Sequence, residues 1–464
     1  MGDKSFIAGP SLPAWALLPA SALLALIMLY VLLRTRGSAA RFVMFACWFR
    51  YMLDVFHQQS LRMSPAGLTW VALGSVGIIS VGFVLLEKRR FLIWPFFPVG
   101  IICLLMIVSG LINGHGSWAI EPCVRFIYFV VICVAFAKAV EQGGSRFVSR
   151  FLWVFLPPIC FQLISVALGI VKAGEVDGSA SYIGGFYHEQ SFSLILATCF
   201  LAACFATQLP RAIKAGLILY CLVGIWIANY RTTILGITPL AVLQFGREFP
   251  RAFLQGQRTL VVAAMGLVVA IMLTITTAGG GAARFADVAN VFKTDLIKNP
   301  ASFTREDRRV LSGRLYIWSN YIYAYDEAKP LQKIIGLGPD SWSTRFNVYA
   351  HNTLVSYLYE LGLLGLISIL LLWGTMFSLA LRAERSWRTR IVAGHVSFFI
   401  LNMATMPHWQ IEGNILYGVL CGFTLAKVRE VRRVAKTRTE AVYRLDRRAP
   451  AQAYVPHRRM SRVG

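Results

Sequence analysis

The chain has 464 residues, 57% of them hydrophobic, a mean hydropathy of +0.60 and a formal net charge of +24. Apolar runs of bilayer-spanning length recur along most of it, which excludes a soluble globular domain and points to an all-α, polytopic helical membrane protein. No short alternating segments of a membrane β-barrel occur. The positive charge does not call for nucleic acid as a partner, because it is gathered into clusters between apolar runs.

The first run, about 13–33, has no basic flank before it and no small-residue cleavage site after it, so it reads as a retained helix. Further helices are predicted near 41–56, 66–86, 91–111, 122–138, 150–171, 189–207, 211–228, 230–245, 258–277, 352–381, 391–406 and 413–427, about 12–13 transmembrane helices in all. The segment 41–56 is short and carries Arg50 and Asp54, an i,i+4 pair able to neutralise itself within a bundle. As a span it puts the N-terminus outside; as an interfacial or re-entrant segment it puts it inside. Basic clusters fall at Arg34–Arg41, Lys88–Arg90, Lys138–Arg150, Arg211–Lys214, Arg247–Arg258, Arg382–Arg390 and from Lys427 onward. Every second connection is therefore basic, which orients the tail to the cytoplasm and the long polar stretch 278–350 to the outside.

Four regions follow: N-terminal membrane helices over 1–277, a partly helical outer loop over 278–350, C-terminal membrane helices over 351–427, and a basic cytoplasmic tail over 428–464, expected to be disordered and to lie near anionic lipid. In the loop, 305–327 reads as an amphipathic helix, with Leu311, Leu315 and Trp318 at helical spacing, and Ile335–Asp340 as a turn cluster. All nine cysteines lie in apolar segments without a C-x-x-C, so neither a disulfide framework nor a zinc site is expected.

Candidate chemistry concentrates at the outer mouth. His351-Asn352 ends the loop and opens a helix; histidine suits proton transfer near neutral pH, whereas the plainer role is capping. Arg231 starts a helix after Asn229-Tyr230 and could make an anion site or simply snorkel. Arg314 could meet an anion or be one more surface charge. Glu121/Arg125 at i,i+4 reads most simply as a structural pair, although Arg125 is also near the mouth. His188 and Glu189 could touch a sugar or only end a helix. Glu360, the sole acid of its helix, could orient an arginine or the helix itself. No D-x-D, Walker, H-E-x-x-H or G-x-S-x-G motif occurs, so no metal site and no cofactor is expected.

Ser312-Gly313-Arg314 with Trp318, Ile335-Gly336-Leu337-Gly338-Pro339, Ala350-His351-Asn352-Thr353-Leu354 and Tyr359-Glu360-Leu361-Gly362-Leu363-Leu364-Gly365 together resemble the signature region of the bacterial O-antigen ligase and polymerase superfamily. Tyr230 stands where that family usually has Ser before its helix-starting arginine. The resemblance covers roughly 225–375. It implies a metal-independent, inverting glycosyltransferase of the bacterial inner membrane. Its donor would be an undecaprenyl-diphosphate-linked glycan, used at the periplasmic face, with an acceptor glycan or lipid A-core. By similarity Arg231 and Arg314 fall on diphosphate-binding positions and His351 on the catalytic one. Asn352, Glu360, Trp318, Arg125, His188 and Glu189 would support them, and Tyr316, Trp318, Tyr321, Tyr323 and Trp342 would offer sugar-stacking surfaces. A ligase and a polymerase joining lipid-linked repeat units both fit. A transporter or flippase fits less well, because paired repeats and charged midplane helices are missing.

Overall fold

The computed structural model describes residues 9–65, 67–173, 180–248, 297–305, 307–308 and 313–448. The expected helix 258–277, most of the loop's first half and the end of the tail lie outside these residues. Helices α1 (Ala14–Arg34), α2 (Ser38–Val55), α3 (Trp70–Leu85), α4 (Phe97–Ile112), α5 (Ile120–Phe151), α6 (Leu156–Ala167), α7 (Glu189–Phe205), α8 (Arg211–Ile227) and α9 (Arg231–Leu243) come first. The loop contributes α10 (Arg314–Asp326) and α11 (Pro330–Ile335), and α12 (Thr353–Leu381), α13 (Arg385–Ala404) and α14 (Ile411–Arg448) close the bundle. A two-residue hairpin, Lys172–Ala173 with Ala180–Ser181, joins α6 to α7. Among the described residues, five helical stretches are long and apolar enough to cross a membrane, with α3 and α7 as shorter apolar helices. The chain is thus an all-α, multi-pass membrane protein.

The basic clusters, separated in sequence, meet at one end of the bundle. Arg90 and Arg429 both pair with Glu141, at 2.7 and 2.8 Å. Lys138 pairs with Glu87 at 2.9 Å, and Arg150 donates to the Arg34 carbonyl at 3.0 Å. At the other end Tyr182 N–H bonds the Ile227 carbonyl, Asn352 reaches the Met403 carbonyl, and Gly9 N–H bonds Tyr187. Since α1 runs from Gly9's end to Arg34's, α2 must run back. It does, ending at Val55, two residues before His57, whose ring lies 5.8 Å from that of Tyr187. Helix α2 therefore runs between the two ends of the bundle, although it is not among the stretches long and apolar enough to cross a membrane, and Gly9 lies at the His351 end.

Three expectations need correcting. Arg50 is not simply neutralised by Asp54: its Nη2 lies 2.8 Å from Glu412 Oε1 at the start of α14, with all three residues shielded inside the bundle. Helix α5 does not stop near 138 but continues through the basic segment, bending at Gly144, whose φ of 53° a side chain would resist. The tail is helical to Arg448 where disorder from 428 was expected. Its Arg, Lys, Glu and Ala are strong helix formers, Lys436 faces Glu440 one turn on, and Arg429 is tied to Glu141.

Ser302 and Thr437 are both exposed, on opposite ends of this arrangement. Single cysteines at these positions should react with a membrane-impermeant maleimide from opposite sides of sealed vesicles. Labelling from the same side would contradict the two-ended bundle.

Candidate active site

Helix α12 begins where Asn352 caps it: Asn352 Oδ1 accepts from the N–H groups of Leu354 and Val355 at 2.9 and 3.3 Å. His351 stands immediately before the cap with φ of 50°. Among the described residues only Asn229, Asp340 and His351 are non-glycines with positive φ, and each is at a turn of this end. Such backbone strain costs about 1–2 kcal/mol and persists where surrounding contacts enforce it.

Those contacts come from the outer segment. Trp318 Nε1 donates to the Ala350 carbonyl at 2.9 Å and Tyr321 OH to the Val348 carbonyl at 2.9 Å, so α10 clamps the strand leading into His351. Tyr349 packs its ring 4.0 Å from the His351 ring and donates its hydroxyl to Gln190 Oε1, 3.1 Å away in the first turn of α7. Trp318 and Tyr321 therefore serve as structural clamps, and Tyr321, 1% exposed, presents no sugar-stacking face.

Arg314 is the first residue of α10, after Gly313 at φ of 82°. Burial lowers its pKa, opposed by the Tyr230 and Tyr349 phenols beside it. His351 is pushed down to about 3, by burial first and then by the charges of Arg314 and His188. Arg314, His351, His188, Tyr230 and Tyr349 thus share one electrostatic neighbourhood, and Arg231 follows Tyr230 as the first residue of α9. His351 Nδ1 is buried without a hydrogen-bond partner. Below the site Ser193 and Thr233 share a hydrogen bond of 2.8 Å, joining α7 to α9. His188 caps α7 through Nδ1, and Glu189 pairs with the buried Lys172 at 2.8 Å.

Arg125 and Glu360 belong to a second cluster. Arg125 pairs with Glu121 as its spacing predicts. Glu360 accepts from Ser356 Oγ at 2.7 Å and from the Asp340 N–H at 2.8 Å, so it fixes the turn at Asp340; among the described residues it makes no hydrogen bond or ion pair to an arginine, although it lies in the field of Arg125. This turn docks where α12 breaks at Gly362 (φ 67°). The Leu337 and Gly338 N–H groups bond the Tyr359 and Glu360 carbonyls, while Ser109 and Asn113 of α4 and its end hold the Gly336 carbonyl. Sequence reasoning placed Tyr349, Gln190 and Asp340 at this end but missed their contacts, and it missed Lys172 altogether. Tyr349 stands two residues before His351, and nothing local marks Lys172.

A multi-pass helical bundle with a polar, arginine- and histidine-bearing mouth is the class of protein these features define. Residues 215–370 match a family model described as O-Antigen ligase, a stretch that holds Arg231, Arg314 and His351. This match over part of the chain supports its likeness to the O-antigen ligase and polymerase superfamily, and with it a part in surface polysaccharide biosynthesis. No curated protein matches the chain.

A Cβ at Gly336 would meet the Glu360 carbonyl oxygen at 2.1 Å, and one at Gly362 the Ile334 oxygen at 2.5 Å; both glycines also have positive φ. Gly336→Ala and Gly362→Ala should each lower the thermal unfolding midpoint in detergent, by more than the roughly 1–2 kcal/mol of backbone handedness alone. Gly100→Ala, where a Cβ meets nothing, is the control and should unfold like wild type.

Proposed function

We propose that the chain transfers a glycan from an undecaprenyl diphosphate carrier to an acceptor hydroxyl, at the periplasmic face of the bacterial inner membrane. The observation that carries this reading is a buried, strained histidine with an unpartnered Nδ1 in the field of Arg314, whose charge and whose burial lower its pKa. Arg314 and Arg231 hold the diphosphate, where planar guanidinium groups can bond two oxygens at once. The acceptor oxygen attacks the anomeric carbon as the bond from that carbon to the diphosphate oxygen breaks. The electron pair leaves with undecaprenyl diphosphate, whose growing charge the arginines stabilise without a metal. The acceptor proton passes to His351, which then releases it to water. One displacement inverts the anomeric centre. The acceptor is a lipid A-core or protein-borne group for a ligase and a second lipid-linked repeat for a polymerase; the chemistry at His351 is the same.

The test is transfer by the purified chain from a defined undecaprenyl-diphosphate glycan, following released carrier diphosphate and product. Because His351 occupies a left-handed backbone position, His351→Gly removes the imidazole while relaxing the chain. Transfer should fall roughly 100-fold or more, the scale of general acid–base catalysis, with thermal stability kept. Arg314→Lys should remain strongly impaired. Normal turnover in well-folded His351→Gly would end the assignment.

The pH dependence follows from the same charges. Without donor, His351 titrates at about 3, so it is already neutral at physiological pH and kcat/KM should not decline through this group between about pH 8 and 5. A bound diphosphate opposes Arg314 and stabilises the imidazolium, raising the pKa in the complex. The acid limb of kcat should therefore lie at higher pH than that of kcat/KM. An order reversed between the two profiles would contradict the placement of the diphosphate beside His351.

A further inference from the structure

At the end of the bundle away from His351 a groove of about 610 Å³ runs between the start of α4, the second half of α12 and the middle of α14. Helix α12 carries roughly 40 Å of rise between the two ends, so this groove is no part of the site described above. Its walls are apolar and open to the surroundings: Trp94 and Leu370 are 72% and 43% exposed. Its end is cationic, with Arg382, Arg429 and Arg432 lining it and no acidic residue among the lining side chains.

The nearby acids are already engaged. Glu141 lies between Arg90 and Arg429, and Lys427 takes Glu430 at 2.8 Å and Glu384 at 3.5 Å. Arg382 and Arg432 are exposed and have no ion pair among the described residues. An apolar trough ending in fixed cations, with a tryptophan at its edge, has the amphipathic layout of a membrane lipid. Gly374 makes room for it. A Cβ there would meet nothing within 4 Å, so the groove is open along that helix face.

We propose that this groove binds an anionic phospholipid of the surrounding membrane. Its phosphate lies against Arg382 and Arg432, with Arg429 behind, and its acyl chains lie along Leu370, Gly374 and Trp94. The bound lipid fastens α4, α12 and α14 together at the basic end. This assignment does not depend on the transfer reaction.

The test is lipid binding by the full chain, purified and delipidated in detergent, read by native mass spectrometry. Phosphatidylglycerol, phosphatidylcholine and undecaprenyl phosphate are titrated separately. Phosphatidylglycerol should bind at least fivefold more tightly than phosphatidylcholine, and each arginine removed should cost about fivefold. Arg382→Ala/Arg432→Ala should bring the two phospholipids level. Gly374→Phe, which fills the groove while leaving every charge, should abolish tight binding without lowering the thermal midpoint. Arg36→Ala/Arg89→Ala, an equal loss of exposed charge outside the groove, should keep the preference. An equal loss in that control, or unchanged binding in Gly374→Phe, would overturn the proposal by making the effect one of net charge. Tighter, Gly374-dependent binding of undecaprenyl phosphate would overturn it in favour of the isoprenoid carrier.

Discussion

The break in α12 at Gly362 is the constraint on which the polar end depends. A continuous membrane helix satisfies its own backbone, and nothing outside it can bond to it. At the break the Tyr359 and Glu360 carbonyls are released, and the Leu337 and Gly338 N–H groups take them. The approach is so close that neither Gly336 nor Gly362 has room for a Cβ. The Glu360 carboxylate then receives the Asp340 N–H, which turns an acid inside a membrane helix into an anchor for an extramembrane turn. A loop that would otherwise lie loosely on the membrane is pinned to the bundle by backbone bonds.

Once pinned, α10 has one place to go, and it clamps the residues before His351. The bonds from Trp318 and Tyr321 to Ala350 and Val348 hold the chain so that the Asn352 cap can form with His351 left-handed. The same placement brings Arg314 against His351. A histidine beside the Arg314 cation and away from water remains neutral, so it can accept a hydrogen bond at a pH where an exposed imidazole would be partly charged. Burial and the positive field of Arg314 both favour the neutral imidazole.

Much of this was legible in sequence, for physical reasons that differ by feature. Helices α1, α4 and α12 follow from apolar length, and the two ends follow from the alternation of basic clusters, because both signals are local. His351 and Arg314 were legible through their motifs. Tyr349's bond to Gln190 was not, since it joins residues 159 apart in sequence. The same holds for Arg50, whose near neighbour Asp54 suggested a pairing that Glu412 of α14 in fact supplies. Glu360 was recognised as unusual, but its role depends on a backbone N–H from a turn twenty residues away. The tail was misjudged because low apolar content argues against a core, while a helix already begun in the bundle needs only good propensity to continue.

The polar groups inside the bundle explain why it adopts one arrangement. Apolar helices in lipid have many rotations of similar energy, since a leucine facing lipid is little worse than one facing protein. A buried ion or amide has far fewer, because leaving it unpaired costs several kcal/mol. Arg50 with Glu412 fixes α2 against α14, and Ser193 with Thr233 fixes α7 against α9. His408 joins Trp373 of α12 at 3.2 Å to Asn414 of α14 at 3.2 Å, and Thr353 meets Asn402 of α13 at 2.7 Å. The helices held this way, α2, α7, α9, α12, α13 and α14, include the three whose first turns lie around His351. Register at the site is thus set from below by a few polar contacts and from outside by the docked turn, so the apolar faces between them need only fill space.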